Sequence, residues 1–208
     1  VGLVTGACFA DLGNEVILMD HDAAKMRTLR QGQIPFYEPE LLELVRKNKR
    51  QGRLSFSTRV QEVVRFAQVI FLCVGTPSRE NGEADLSAVE HVAETIAKSL
   101  REYRLIVEKS TVPVETGIKL YQTIKERNRK KIPFDVASNP EFLREGSAVQ
   151  DFFNPDRIVL GIESARARSL LLEVYKPFKA PILVTDIKSA ELIKHASNSF
   201  LATKISFI

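Results

Sequence analysis

Short, continuously apolar runs alternate with longer stretches of helical periodicity along almost the whole chain. The apolar runs predict six strands, at 15–20, 68–74, 104–110, 134–138, 157–161 and 181–185. The stretches between and around them predict seven helices, near 2–12, 22–31, 39–50, 86–100, 114–129, 164–176 and 187–207. Strands that are apolar throughout are typical of a parallel sheet covered on both faces. The order therefore predicts an α/β fold with a doubly wound, mostly parallel, Rossmann-like sheet.

The two ends of the chain interrupt this order. A doubly wound dinucleotide-binding domain begins with a strand, whose turn into the first helix cradles the pyrophosphate. Here a helix rich in small residues comes first, so we expect the first strand to be missing. At the other end, the helical pattern stops without a terminating Gly, Asn or Pro. We interpret residues 1–186 as an incomplete dinucleotide-binding domain and 187–208 as the start of a long helix linking to an absent C-terminal domain.

Composition narrows the functional classes. Hydrophobic residues make up 44% and charged residues 27% of the 208 residues, as is ordinary for a globular enzyme. No apolar run approaches the ~18 residues of a membrane span, and the basic runs at 46–53 and 125–131 contain no aromatic residues. We therefore expect neither a membrane segment nor a nucleic-acid partner, and we assign no metal ligands. Cys8 and Cys73 lie in apolar segments, which predicts buried thiols in a cytoplasmic protein.

Three features near predicted strand and helix ends suit a dinucleotide. Gly2 fits the last glycine of a G-x-G-x-x-G turn, which lets a pyrophosphate approach the helix N-terminus. Asp20 closes a strand, where a carboxylate accepts hydrogen bonds from the ribose 2′-hydroxyl and repels a 2′-phosphate. The VGTP turn at 74–77 leaves room for the adenosine half to cross the sheet. Together they predict NAD rather than NADP, although a tightly packed helix, a helix N-cap and an ordinary strand end would explain them separately.

Longer motifs carry a more specific signal. The segment SNPEFLREGSAVQDFFNPDRIVLG at 138–161, with YEP at 37–39, KSTVP at 109–113 and the helix from 191 to 208, resembles the UDP-glucose/GDP-mannose dehydrogenase family. The resemblance covers essentially the whole chain and is strongest to the branch that acts on UDP-glucose. It implies NAD-dependent oxidation of the C6 alcohol of the sugar to a carboxylate. Two alternatives stay open: a GDP-mannose or UDP-N-acetylhexosamine dehydrogenase, and a non-catalytic NAD-binding module.

The resemblance also implies which residues form the sites. It places NAD against residues of the first two helices, of the first two strand ends and of the KSTVP segment: Gly2, Asp20, Lys25, Val74, Thr76, Pro77, Ser110 and Thr111. It places the sugar nucleotide against the NPEFLREG segment and the last helix: Glu141, Phe142, Leu143, Glu145, Lys194 and Asn198. Catalytic roles fall on polar members of these sets: Thr111, Glu141, Glu145, Lys194 and Asn198.

The chemistry of alcohol oxidation needs these residue types. Loss of hydride from C6 requires removal of the hydroxyl proton by a base or an activated water, which Thr111 and Glu141 could position. Lys194 and Asn198 are spaced i, i+4 on one helix face, so that a cation and a neutral donor could meet the developing oxyanion. We expect Glu145 to order Lys194 or the cofactor ribose. The plain alternatives are a solvated lysine, a first-turn helix glutamate and a strand-end threonine.

The chain departs from the family pattern at two points that matter for mechanism. Glu115 stands where family members commonly have glycine, which puts a close approach of backbone and cofactor there in doubt. The family's nucleophilic cysteine is expected in the absent C-terminal domain, so we expect residues 1–208 alone to be inactive. The resemblance further implies a homodimer in the full-length protein, built around the helix that starts near residue 187.

Overall fold

The computed structural model describes residues 1–208, which form nine helices and seven strands. The strands are β1 (Val16–Met19), β2 (Leu54–Ser57), β3 (Val69–Leu72), β4 (Arg104–Glu108), β5 (Phe134–Ser138), β6 (Ile158–Ile162) and β7 (Ile182–Thr185). The helices are α1 (Gly2–Asp11), α2 (Ala23–Arg30), α3 (Leu41–Arg50), α4 (Val60–Phe66), α5 (Ser87–Ser99), α6 (Thr116–Arg127), α7 (Ala148–Phe153), α8 (Ala165–Tyr175) and α9 (Ile187–Phe207).

The strands form two sheets, and most neighbours are parallel. β1 and β2 make a parallel pair, and the second sheet has the order β3-β4-β5-β6-β7. Only β5 and β6 are antiparallel, and they pair through their last residues. The predicted Rossmann-like α/β fold with a mostly parallel sheet is confirmed. None of its helices combines the length and apolar character that crossing a membrane requires.

Three short elements lie where the sequence pattern predicted none. In β2, apolar and polar residues alternate, and Ser55 is exposed, so the strand lacks the continuous apolar run that marks the others. α4 and α7 have only seven and six residues, too few for a helical period to stand out. The predicted starts of α3 and α6 were also too early, because Glu40 and Glu115 have positive φ angles, of 65° and 78°, which helical residues do not adopt.

Two apolar clusters cover the faces of the sheet. The larger has 22 buried residues and joins α1, α3, α7 and α8, while the smaller has 13 and joins α5 and α6. Phe9 of α1 is central to the larger cluster, with ring centroids 5.2 Å from Phe71, 5.0 Å from Phe152 and 5.6 Å from Tyr175. Every residue of β4 is buried between the two. The layers therefore hold the carboxyl ends of β3, β4 and β5 in fixed positions.

Candidate functional site

The amino end of α1 is shaped for close approach. A Cβ on Gly2 would lie 3.1 Å from Cβ of Cys73, just beyond β3, and a Cβ on Gly6 would lie 2.6 Å from Leu18 of β1. The first intrahelical amide to find an acceptor is that of Thr5, which donates to Val1 O. The amides before it are therefore free to bind a pyrophosphate at the positive end of the helix.

Asp20 follows β1 and does not cap the next helix. That cap is Asp22, whose side chain accepts hydrogen bonds from the amides of Ala24 and Lys25. The Asp20 carboxylate accepts from Lys25 Nζ and from the Asp22 amide and is 23% exposed. Partial burial acts to raise the pKa of Asp20, but these hydrogen bonds outweigh it and hold the pKa below its usual value. The group is a partly exposed carboxylate with acceptor capacity left for a ribose hydroxyl.

The loops after β3 and β4 are joined by side chains of the predicted cofactor set. Thr76 Oγ1 donates to Thr111 O at 2.7 Å, and Ser110 Oγ donates to Val74 O at 2.8 Å. Pro77 is exposed beside them. These bonds bring the two loops together as one wall, although they lie 35 or more residues apart in sequence.

The carboxyl ends of β4 and β5 align Thr111 with Glu141. Glu108 and Ser138 are paired in register as the last residues of these parallel strands. Thr111 and Glu141 each follow three residues later, so both side chains lie at the same edge of the sheet. This edge is where open α/β sheets bind their ligands.

Lys194 of α9 reaches this edge and pairs with Glu141. Its Nζ lies 3.5 Å from Glu141 Oε1, and the two side chains are only 9% and 13% exposed. The Lys194 ammonium also lies 5.3 Å from the ring centroid of Phe142, while the Arg157 guanidinium lies 4.6 Å from the same centroid. Glu141 Oε2 accepts from the amide of Leu143, which fixes the start of the segment. The result is a largely buried ion pair next to the Phe142 ring, which also lies close to two cationic side chains.

Two other residues of the predicted site lie apart from this pair. Glu145 and Asn198 are both exposed, and the carboxylate that orders Lys194 belongs to Glu141. We expected Glu145 to order Lys194 or the cofactor ribose. The carboxylate that pairs with Lys194 is that of Glu141, so the ribose alternative for Glu145 stays a prediction.

Helix α9 is fixed against the loop that carries Thr111. Both oxygens of Glu191 accept main-chain hydrogen bonds, from the amides of Glu115 and Gly117, each at 2.7 Å. The ring of His195 makes a hydrogen bond with Val112 O. Glu191 therefore supplies the cap that α6 lacks on its own N-cap residue, and it holds Lys194, one turn further on, relative to Thr111.

Lys109 is a buried cation that the sequence analysis did not single out. It is 5% exposed, and its Nζ donates to Asn139 Oδ1 at 3.0 Å. The same oxygen accepts from Tyr175 Oη, while Asn139 Nδ2 donates to Val159 O. Desolvation lowers the pKa of Lys109 to about 8. The sequence signal for Lys109 was a lysine directly after a continuously apolar strand. The hydrogen-bond network fixes Asn139, which lies two positions before Glu141.

Neither cysteine has the character of a nucleophile. Burial, aided by the nearby Asp11 carboxylate, raises the pKa of Cys8 to about 12. Desolvation raises the pKa of the Cys73 thiol to about 11. Because the thiolate is the reactive form, both side chains are inert at neutral pH.

Comparison with known proteins agrees with this geometry. Residues 1–179 match the NAD-binding domain of the UDP-glucose/GDP-mannose dehydrogenase family. The chain is 48% identical to UDP-glucose 6-dehydrogenase TuaD of Bacillus subtilis, an alignment that covers 100% of this chain and 45% of that protein. It is 47% identical to UDP-glucose 6-dehydrogenase of Rhizobium meliloti, covering 100% and 49%. The chain thus spans about half the length of the curated relatives it matches.

Solved structures give the same picture. A UDP-glucose dehydrogenase from Pyrobaculum islandicum superposes with a TM-score of 0.96 at 45% identity, over 99% of this chain and 48% of that one. A GDP-mannose dehydrogenase from Pseudomonas aeruginosa, solved as a ternary complex, also gives 0.96, at 36% identity over 100% and 49%. With the family match to residues 1–179, these findings show that the chain belongs to the UDP-glucose/GDP-mannose dehydrogenase family and carries its NAD-binding domain.

Proposed function

We propose that this chain is the NAD-binding half of an enzyme that oxidises the C6 hydroxyl of UDP-glucose to a carboxylate, giving UDP-glucuronate. The observation that carries the proposal is the desolvated Lys194–Glu141 pair at the sheet edge that also holds Thr111. A module that only binds NAD has no need of a buried cation and carboxylate beyond the cofactor wall, because keeping them out of water is costly.

The residues present fit NAD. The free amides of α1 suit the pyrophosphate, Asp20 suits the adenosine ribose, and the wall of Val74, Thr76, Ser110 and Thr111 suits the rest of the dinucleotide. When bound, NAD accepts the hydride that leaves C6.

The protein's own groups then handle proton and charge. Lys194 places a positive charge where the C6 oxygen becomes an alkoxide, and one such preorganised donor is typically worth ~2.7–4 kcal/mol in the transition state. Glu141, held by Lys194 and the Leu143 amide, positions a water for proton removal together with Thr111. Asn198 lies one turn beyond Lys194 and is exposed. We expect it to contact the sugar nucleotide when the substrate lies over that turn of α9.

The second oxidation needs a nucleophile from outside these residues. An aldehyde loses hydride readily once a thiolate has added to it. Burial raises the pKa values of Cys8 and Cys73, which argues against either thiol as the nucleophile. We propose that the remainder of the enzyme supplies this thiolate, so that residues 1–208 alone do not complete the reaction.

Relatedness supports UDP-glucose as the sugar. Relatives at 48%, 47% and 47% identity are named UDP-glucose 6-dehydrogenases, against 36% for the GDP-mannose dehydrogenase structure. GDP-mannose is the second candidate, because that structure superposes equally well, with a TM-score of 0.96.

The test is turnover by the full-length enzyme that contains this chain. We expect reduction of NAD with UDP-glucose, at two NADH per sugar, and little with GDP-mannose, UDP-N-acetylhexosamines or NADP. Turnover of GDP-mannose alone would replace the substrate assignment, and binding of NAD without turnover of any nucleotide sugar would favour the module.

Two further properties of the whole enzyme belong to the proposal. We place it in the cytoplasm, which is supported by two cysteines that are both free. We also propose a homodimer through α9, supported by exposed apolar side chains along its second half, at Phe200, Leu201, Ile205 and Phe207. Sedimentation of the full-length enzyme tests the dimer; a monomer at micromolar concentration would contradict it.

A further inference from the structure

Glu38 is a buried carboxylate that the proposed chemistry does not use. It lies in the connection between α2 and α3 and is 6% exposed. No lysine, arginine or histidine forms an ion pair with it. Its oxygens instead accept two main-chain hydrogen bonds, Oε2 from the Gly146 amide at 2.9 Å and Oε1 from the Ala148 amide at 2.8 Å. A buried carboxylate without a cationic partner needs hydrogen bonds of this kind.

These bonds close the loop that follows Glu141. Residues 141–147 belong to no helix or strand. At the end of this loop, Ser147 is the N-cap of α7, but its side chain makes no capping bond and turns to Asp151 instead. Glu38 takes over the capping role from a point 110 residues away in sequence.

The beginning of the same loop is fixed separately. Pro140 is buried at the end of β5, and Glu141 bonds to the Leu143 amide. Next to this anchor lies the segment 141–143, which the family resemblance places against the sugar nucleotide. Gly146, with φ of 84°, makes the turn between the two anchors, and its amide is one of the two that Glu38 holds.

We propose that Glu38 is a positioning residue for the sugar nucleotide: its carboxylate clamps the end of the loop 141–147 and so holds the segment 141–143 in place against the substrate. The proposal rests on the proposed function of that loop. Glu38 does not itself reach the substrate segment. It lies between α2 and α3, the two helices that follow Asp20. Its hydrogen bonds therefore link the part of the fold that we assign to the cofactor with the loop that we assign to the sugar nucleotide.

The test replaces Glu38 by glutamine in the full-length enzyme. The amide keeps one acceptor and turns an NH₂ group towards the second main-chain donor, so one clamp bond is lost without a change of shape. We expect the KM for UDP-glucose to rise at least fivefold while the KM for NAD stays within twofold. Amide hydrogen exchange should accelerate at Gly146 and Ala148 and remain unchanged in β4.

The matched control is Glu40→Gln. Glu40 is a neighbouring carboxylate that also bonds to α7, through the side chain of Gln150, but it touches no main-chain amide of the loop. It should leave both KM values and the exchange at Gly146 unchanged.

Three results would overturn the assignment. Faster exchange at Gly146 with an unchanged KM for UDP-glucose would show that the loop end does not position substrate. An equal rise of both KM values with a lowered melting temperature would show a purely structural role. Failure of the unsubstituted enzyme to oxidise UDP-glucose would contradict the proposed function itself. Turnover by the unsubstituted enzyme therefore distinguishes failure of the proposed function from failure of the role assigned to Glu38.

Discussion

Asp22, and not Asp20, caps α2, and this division leaves the Asp20 carboxylate available to a ribose. From sequence, a helix N-cap was the alternative reading of Asp20, and only the main-chain geometry shows that Asp22 has that role. Asp20 is also bonded to Lys25, a cation that would suit a 2′-phosphate if the carboxylate were removed. We therefore expect the pair to influence cofactor choice through charge as well as through hydrogen bonding.

Replacing Asp20 by alanine should weaken NAD binding by about 10-fold or more, the effect of losing a charge-assisted hydrogen bond of about 1.5–3 kcal/mol. It should also relax discrimination against NADP, because Lys25 loses its partner. Titration of the full-length enzyme with both cofactors measures this. Asp22→Ala is the control: it removes a helix cap and should leave the ratio of the two affinities unchanged. Equal affinities in the parent and in Asp20→Ala would refute the ribose assignment.

Glu108 gives a prediction about pH. Burial raises its pKa from an ordinary 4.5 to about 7, and its Oε2 has no hydrogen-bond partner. The folded state therefore holds this proton more tightly than the unfolded state, and stability that is present below pH 4.5 is lost as pH rises to about 7. Glu108→Gln keeps the acceptor for the Ser110 amide and carries no charge, so it should flatten the melting temperature across this window.

The control for Glu108 is Glu94→Gln. The Glu94 carboxylate is half-buried and pairs with Lys98 and Arg127, and these partners hold its pKa below the usual value, outside the window. Its melting curve should follow that of the parent. If Glu108→Gln and the parent lose stability in parallel between pH 5 and 7, the loss does not come from deprotonation of Glu108, and this prediction fails.

At the scale of elements, the sequence pattern was sufficient to predict the strands that are continuously apolar. It was insufficient for short or interrupted elements and for helix starts that depend on backbone conformation. The six predicted strands all occur, with ends that differ from the prediction by at most two residues. β2 was missed because its exposed Ser55 breaks the apolar run, and α7 because six residues show no period. The early start assigned to α6 has a different cause: only the left-handed backbone of Glu115 shows where the helix begins.

The same residue supplies a prediction for α6. Glu115 has φ of 78°, a conformation that glycine adopts freely and other residues adopt at a cost. Its side chain forms only an exposed ion pair with Lys188, which contributes little. Glu115→Gly should therefore raise the melting temperature by about 2–4 °C. Lys119→Gly, in the exposed interior of α6, should lower it. A lowered melting temperature for Glu115→Gly would mean that the Glu115 ion pair outweighs the backbone strain.

At the scale of the whole molecule, the site depends on contacts that a sequence pattern does not reveal. Motifs pointed to the residue types of the site, and the fold pairs Lys194 with Glu141 and brings the strand before Thr111 into register with the strand before Glu141. The residues that hold them were not predictable, because Glu191 acts on an amide 74 residues away and Glu38 on one 110 residues away. Long-range bonds of this kind join α9 and the α2–α3 connection to the loops that follow β4 and β5.

The most direct measurement compares two lysines of α9 in the full-length enzyme. Lys194 is buried against Glu141, whereas Lys188 is exposed and pairs with Glu115. With UDP-glucose and NAD, Lys194→Ala should lower kcat by about 100-fold or more, as loss of an oxyanion donor does, while NAD binding stays within twofold and shows that the fold survives. Lys188→Ala should leave kcat unchanged. A kcat for Lys194→Ala within threefold of the parent would contradict the account.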